Sequence, residues 1–137
     1  MKKLFVLIAL LLVAPQLLAV QVAGVRLWTA PDHTRLVFDT TASAQHQVFS
    51  LSSPDRLVID FADTTIADGF TDKGIADKHL AGMRRAMRPD GSLRVVLDLN
   101  QDVRSRSFTA GPNSTYGDRL VIDLQRSGSL QSVKRAS

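Results

Sequence analysis

The chain of 137 residues is long enough to bury one hydrophobic core but not two large ones. Its formal net charge is +4, yet residues 20–125 contain 12 basic and 13 acidic residues, so the basic excess lies at the two ends. This distribution does not favour nucleic-acid binding by a basic face, and the absence of cysteine excludes a disulfide framework.

The first 19 residues, MKKLFVLIALLLVAPQLLA, have the three-part layout of a secretory signal peptide. Two lysines precede an apolar run that is too short to be a typical membrane-spanning helix, and small or neutral residues end at Ala19. We expect cleavage after Ala19 and export to a bacterial periplasm, with membrane contact only through the cleaved segment. Residues 126–137 are polar and typical of a flexible linker or tail.

Four versions of one five-residue phrase follow along the chain. They are RLVFD from Arg35, RLVID from Arg56, RVVLD from Arg94 and RLVID from Arg119. Aliphatic residues alternate in each phrase, which predicts a strand with one buried face. In the second phrase the period of two places Leu57, Ile59 and Phe61 on the inner face. The fourth phrase repeats this arrangement.

The phrases belong to an internal duplication. GVRLWTAPDHTRLVFD from Gly24 aligns with GMRRAMRPDGSLRVVLD from Gly82 at offsets of 58 and 59, and the second phrases of the two halves align at 63. Each half predicts four strands with turns rich in Pro, Asp, Asn and Gly. The predicted strands are 22–29, 35–41, 47–51, 56–61, 83–88, 93–99, 104–109 and 119–124.

The predicted fold is therefore all-β: a β-sandwich of two similar four-stranded sheets, or a flattened barrel, formed by residues 20–125. The connector between the halves is rich in Asp, Thr and Gly, and a short helical turn is possible at residues 75–79. The stretch IADKHLAGMRRAM also fits helical spacing. Its match to the first strand of the first half favours a strand at its end.

Each phrase has Arg at one end of its outer face and Asp at the other. Beside an antiparallel neighbour of the same kind, this order sets Arg opposite Asp and fixes the strand register. Each exposed pair adds at most about 1 kcal/mol, so the inner aliphatic residues supply most of the stability. We expect the four phrase aspartates to be solvated register partners and not catalytic carboxylates: Asp39, Asp60, Asp98 and Asp123.

The segments GVRLW, APDHTRLVFD and SSPDRLVID, with their second-half echoes, resemble the AMIN domain over nearly all of residues 20–125. This is the amino-terminal module of periplasmic N-acetylmuramoyl-L-alanine amidases, also found in secretins of type IV pilus machines. The resemblance implies a β-sandwich that binds peptidoglycan and places its parent protein at the division septum, with septal-ring proteins as further partners. The alternatives are a protein-docking domain of a pilus secretin and a free-standing periplasmic adaptor.

In the amidases that the chain resembles, the module precedes a zinc hydrolase domain, so zinc is expected only in that domain, outside these 137 residues. The chain has no glutamate for an HExxH site, no cysteine and no GxSxG serine. The spacing of His33, His46 and His79 matches no zinc pattern, and we expect exposed histidines. A zinc site from His33, His46 and an Asp is the alternative. We expect no catalytic residue, metal ligand or cofactor in this chain.

The first strand of each half supplies the candidate binding residues. It places Arg26 and Trp28 on one face in the first half, and Arg84 and Arg88 on the matching face in the second. Peptidoglycan offers N-acetylated sugar rings and peptide carboxylates, which suit an aromatic platform beside guanidinium groups. We predict that these four residues form part of a peptidoglycan-binding surface. The alternative is that Trp28 caps the sandwich edge and the arginines are merely solvated.

Overall fold

The structure is a computed structural model that describes residues 19–127. The predicted signal peptide, apart from Ala19, and the predicted tail beyond Ser127 lie outside the described residues. The described part of the chain contains these strands: β1 Val20–Thr29, β2 His33–Thr40, β3 His46–Leu51, β4 Arg56–Phe61, β5 Thr64–Ile66, β6 Leu80–Met87, β7 Leu93–Leu99, β8 Val103–Ala110 and β9 Asp118–Arg126. No helix within residues 19–127 has the length and hydropathy of a membrane span.

The strands form two sheets. One has five strands in the order β5-β1-β2-β9-β8, and the other has four in the order β3-β4-β7-β6. Apart from β5, which pairs in parallel with the start of β1, neighbouring strands are antiparallel. The predicted β-sandwich is confirmed, and all eight predicted strands are present. The short strand β5 was missed because three residues of the connector give no measurable alternation.

The connector contains no helical turn at residues 75–79, where the sequence made one possible but did not require it. Asp77 explains the difference. Its Oδ1 accepts hydrogen bonds from the backbone N–H groups of His79 (2.9 Å) and Leu80 (3.0 Å). These N–H groups are thereby satisfied without helical bonds, and the chain turns directly into β6.

The two halves of the duplication exchange their hairpins. The pair β1–β2 of the first half lies beside β9–β8 of the second, and the pair β6–β7 of the second half lies beside β4–β3 of the first. Each sheet therefore has a phrase strand from each half at its centre. Both first strands have a register irregularity at the same place, between Val22 and Gly24 and between Leu80 and Gly82. The strand assignment at the end of IADKHLAGMRRAM is confirmed.

The core lies between the inner faces of the two sheets. Leu57, Ile59 and Phe61 of β4 are buried, as predicted, and so are their counterparts on β9. The Phe38 ring from the five-stranded sheet meets the Phe61 ring from the four-stranded sheet edge to face, with centroids 5.7 Å apart. The apolar burial joins the sheets into one unit, and both outer faces are consequently held by the same core.

Candidate functional site

Two outer faces result from this architecture. The Trp28 face is the outer side of the five-stranded sheet, with Arg106, Asp123, Arg35 and Trp28 in one cross-strand row. The Arg88 face is the outer side of the four-stranded sheet, with Gln47, Asp60, Arg94 and Ala86 in the corresponding row and Arg88 just beyond β6. The duplication offsets match these two rows residue by residue.

The four predicted binding residues do not form one surface. Arg26 and Trp28 lie on the Trp28 face, whereas Arg84 and Arg88 belong to the Arg88 face on the other sheet. The first strands of the two halves, β1 and β6, lie in different sheets, and the outer faces of these sheets point away from each other. The candidate site therefore has to be considered one face at a time.

On the Trp28 face, Arg and Asp of the phrases face each other as predicted. Arg35 lies opposite Asp123 and donates two hydrogen bonds to its carboxylate, at 2.8 and 2.9 Å. Arg119 lies opposite Asp39 but donates to backbone carbonyls. Asp39 accepts two hydrogen bonds of 2.8 Å from Arg26 on the neighbouring strand instead. Arg26 is thus part of the sheet's own ion-pair framework.

The Arg88 face repeats this framework. Arg94 donates two hydrogen bonds of 2.8 Å to Asp60 directly opposite, and Asp98 is held by Arg84 on the neighbouring strand, at 2.8 and 2.9 Å. Arg56 lies opposite Asp98 but donates to a backbone carbonyl. Of the predicted phrase pairs, one on each face forms. The other aspartate of each face is bound by the first strand, a contact that phrase-to-phrase reasoning could not find.

Electrostatics keep these carboxylates ionised. The hydrogen bonds from Arg94 lower the pKa of Asp60 against the opposing effect of burial, and those from Arg84 likewise lower the pKa of Asp98. Arg88 adds a weaker contact to Asp60, at 3.4 Å. Because Arg84 and Arg88 are partly neutralised by carboxylates of their own face, neither presents a free guanidinium group to a ligand.

Both faces also have a phenylalanine beside the cross-strand row. Phe108 on the Trp28 face and Phe49 on the Arg88 face are each 37% exposed. The guanidinium carbon of Arg35 lies 5.7 Å from the centre of the Phe108 ring, and that of Arg94 lies 5.6 Å from the centre of the Phe49 ring. These distances are within the range of cation–π contacts, so each ring is stabilised by an arginine of its own face.

Among the pairs of equivalent positions at which the faces differ, which include Ala30 and Arg88, three enlarge the surface of the Trp28 face. Trp28, which is 73% exposed, corresponds to Ala86. Arg106 on β8 corresponds to Gln47, and Arg104 corresponds to Gln45. The large exposed ring and the two additional charges all belong to the Trp28 face.

A fourth difference is an insertion. The turn before β9 is longer than its counterpart before β4, and the extra residues include Tyr116. The side chain of Asn113 accepts hydrogen bonds from the N–H groups of Thr115 and Tyr116, which fixes the turn. The Tyr116 ring then lies beneath two guanidinium groups, with Arg26 at 4.5 Å and Arg119 at 5.3 Å from its centre. This ring extends the aromatic surface of the Trp28 face.

A shallow cavity lies beside the central ion pair on each face. On the Trp28 face a cavity of about 320 Å³ is lined by Trp28, Ala30, His33 and Arg35. On the Arg88 face a cavity of about 310 Å³ has a polar lining, namely Gln45, His46, Gln47, Asp60, Ala62, Arg88, Asp90 and Ser92. Only the first combines an indole wall with hydrogen-bond donors, the pairing that a sugar ring with polar substituents requires.

The histidines occupy three separate places. His79 is buried, which makes the prediction of an exposed side chain wrong: its Nδ1 lies 2.7 Å from the hydroxyl of Thr34, which also donates to Asp77. His33 and His46 lie on different sheets, so the alternative zinc site does not assemble from them. Within residues 19–127 no three His, Cys, Asp or Glu side chains form a group that could hold a metal ion.

Comparison with known proteins gives a family and two relatives. A family model described as the AMIN domain matches residues 24–124. The chain is 32% identical over 120 residues to N-acetylmuramoyl-L-alanine amidase AmiC of Neisseria meningitidis serogroup B, covering 85% of this chain and 29% of that protein. It is 31% identical over 110 residues to the enzyme of the same name from Escherichia coli O6:H1, covering 76% of this chain and 26% of that protein. The chain thus spans less than a third of either relative.

Proposed function

The chain belongs to the AMIN domain family, and from that premise we propose that it is a peptidoglycan-binding module of a cell-wall amidase. The names of both relatives favour the amidase assignment over the pilus-secretin alternative. In this proposal the chain supplies adhesion to the wall. Cleavage, with its zinc, belongs to the portion of the relatives that the chain does not cover.

The observation that carries the proposal is the exposure of Trp28. An indole that is 73% exposed contributes little to the core, so capping of the sandwich edge does not account for it. It forms a wall of the cavity that also contains His33 and Arg35. An indole surface stacks on the apolar face of a sugar ring, while the neighbouring polar groups bind the ring substituents.

The direct test is sedimentation of the purified chain with purified sacculi. We expect wild-type protein to pellet with sacculi and Trp28→Ala to bind about tenfold more weakly, because loss of a central aromatic anchor typically costs that much or more. Leu51→Ala is the matched control, since Leu51 is a large exposed apolar residue on the Arg88 face. Its retention should equal that of the wild type. No retention of the wild type would overturn the proposed function.

The non-catalytic part of the proposal has its own experiment. In a zymogram with peptidoglycan in the gel, the purified chain should leave no cleared band. A cleared band that persists in a highly purified sample would show that this chain hydrolyses the wall. It would overturn the proposal that the chain binds the wall without cleaving it.

We further propose export and septal placement. The support is the signal-peptide layout of residues 1–19 together with the amidase relatives. A fusion of the full chain to a fluorescent protein that folds in the periplasm should collect at midcell in dividing cells. Uniform peripheral fluorescence would contradict septal placement, and cytoplasmic fluorescence would contradict export.

A further inference from the structure

Within residues 19–127, two arginines on the outer side of β8 have no carboxylate partner. Arg104 and Arg106 are exposed and alternate with inward residues along the strand. Neither makes a hydrogen bond or ion pair within residues 19–127, apart from the approach of Arg106 to the Phe108 ring at 6.0 Å. Asp123 lies opposite Arg106, but its carboxylate is engaged by Arg35. Both guanidinium groups therefore have their donors free as far as the described part of the chain is concerned.

The other half of the duplication shows that the fold does not need these arginines. The equivalent strand β3 presents Gln47 where β8 presents Arg106, and Gln45 precedes it where β8 has Arg104. The bidentate ion pairs, the phenylalanine beside an arginine and the core are built in the same way on both sides. Two charges that the fold does not require, and that repel each other, call for a role in binding.

The charge of the Trp28 face defines the ligand. Its outward positions carry five arginines, namely Arg26, Arg35, Arg104, Arg106 and Arg119, against the two aspartates Asp39 and Asp123. The face thus has a surplus of three positive charges, two of them concentrated on β8. Free guanidinium groups bind carboxylates through paired, charge-assisted hydrogen bonds.

The distance between Arg106 and Trp28 across the row limits which ligands can contact both residues. Arg106 and Trp28 belong to the same cross-strand row with β9 and β2 between them, so the spacing of strands in a sheet puts their Cα atoms about 14 Å apart. A ligand that contacts both carries an apolar ring at one end and an anionic group at the other. In peptidoglycan this combination is a glycan strand with its attached stem peptide.

We propose that Arg104 and Arg106 form a carboxylate site for the stem peptide of peptidoglycan, while Trp28 holds the glycan. The inference rests on the proposed function and assigns the two chemical parts of the wall to opposite edges of the Trp28 face. The Arg88 face has Gln47 and Ala86 at the equivalent positions, so it lacks both the arginine of β8 and the indole.

The experiment compares two double variants on two wall preparations. Arg104→Gln/Arg106→Gln gives β8 the residues of its counterpart. Arg56→Gln/Arg88→Gln is the matched control, because it removes the same two charges from the Arg88 face. Each protein is sedimented with intact sacculi and with stripped glycan, meaning glycan strands freed of their peptides, attached to beads and amidated at the lactyl carboxylates that peptide removal exposes. Far-ultraviolet circular dichroism confirms that each variant is folded.

On intact sacculi we expect the β8 variant to bind about tenfold more weakly than wild type, and the control to stay within roughly twofold. On stripped glycan all three proteins should bind alike. Unchanged binding of the β8 variant, or equal losses for both double variants, would overturn the inference and leave the proposed function standing. If the β8 variant also bound stripped glycan more weakly, the arginines would contact the sugar and not the stem peptide, which would overturn the inference. Absence of wild-type binding to both preparations would overturn inference and proposed function together.

Vesicles of phosphatidylcholine with phosphatidylglycerol provide the remaining arm, because a lipid surface is also anionic. We expect no retention of wild-type protein beyond that on pure phosphatidylcholine at physiological salt. Vesicle binding that the β8 variant loses, with sacculus binding unchanged, would assign the arginine pair to a membrane surface and overturn the inference.

Discussion

The Trp28 face and the Arg88 face share one plan and differ in what they expose. Both have a bidentate pair between neighbouring phrases, Arg35 with Asp123 on one and Arg94 with Asp60 on the other. Both have a phenylalanine under an arginine and a first strand that binds the remaining aspartate. Only the Trp28 face adds a large exposed indole, a tyrosine in an inserted turn and two arginines that have no carboxylate partner among residues 19–127.

This difference separates the requirements of folding from those of binding. Residues that a duplicated fold keeps in both copies are the ones that set register and fill the core. Positions at which the copies diverge, such as Trp28 and Ala86, are free of those requirements. The comparison within one chain thus serves as its own control, and variants at equivalent positions test it.

The largest expected effect comes from the core that both faces share. Phe61→Ala should lower the free energy of unfolding by about 3 to 5 kcal/mol, because it leaves a cavity against Phe38. Urea titrations followed by Trp28 emission and by far-ultraviolet circular dichroism should give coincident transitions. If the Trp28 signal changed well before the circular dichroism, the two sheets would be separate units and the comparison of two faces on one core would fail.

The next effect tests the ion-pair framework. Asp60→Asn and Asp123→Asn should each lower the free energy of unfolding by about 1 to 2 kcal/mol, since each leaves a partly buried arginine without its charged acceptor. Asp68→Asn, at an exposed position of the connector, is the control and should change it by less than about 0.5 kcal/mol. A large loss for one face and none for the other would show that the shared framework is not equally important on both sides.

A smaller effect separates binding from stability. Phe108→Leu and Phe49→Leu remove equally exposed rings that lie under arginines, so both should destabilise the fold by similar amounts. Only Phe108→Leu should weaken sacculus binding, because the Phe108 ring also contacts Arg106 of the proposed carboxylate site. A cation–π contact worth up to about 1 kcal/mol corresponds to a loss of about three- to fivefold. Equal losses of binding for the two variants would show that both faces bind the wall.

The smallest effect concerns acid. Because Arg84 lowers the pKa of Asp98, the folded protein holds that proton less tightly than the unfolded chain does. The resulting stabilisation is present at neutral pH and is lost as pH falls below about 4, through the lowered pKa. It is small because water and salt screen so exposed a pair. Urea midpoints between about pH 6 and pH 2 should decline less for Asp98→Asn than for wild type, and parallel curves would contradict the assignment.

Much of the fold was predictable because its signals are local and repeated. The alternation of aliphatic residues in the phrases predicted the inner face of β4. The match between the two halves predicted that β6 is a strand, although part of its sequence also fits helical spacing. The sheet order was not predictable, since the exchange of hairpins depends on packing between the halves. Arg26 and Arg84 were assigned to one surface because they occupy equivalent positions in the two halves, although they lie on different sheets.

The candidate site was found only in part. Trp28 was identified because its residue type is informative wherever it is exposed. Arg104 and Arg106 were missed, although their period-of-two spacing on β8 and the glutamines at the equivalent positions of the first half were visible in the sequence. That both lack a carboxylate partner depends on which arginine engages Asp123, and this is decided by register and rotamers in the folded sheet.

The emission of Trp28 tests the central claim most directly, because the chain has a single tryptophan and it lies in the proposed site. Titration with a soluble muropeptide that carries its stem peptide should shift the emission to shorter wavelength and protect it from acrylamide quenching, as stacking removes the indole from water. The titration should saturate at the affinity found by sedimentation. An indole that remains fully quenchable when the protein is saturated with muropeptide would place the ligand elsewhere and contradict the account.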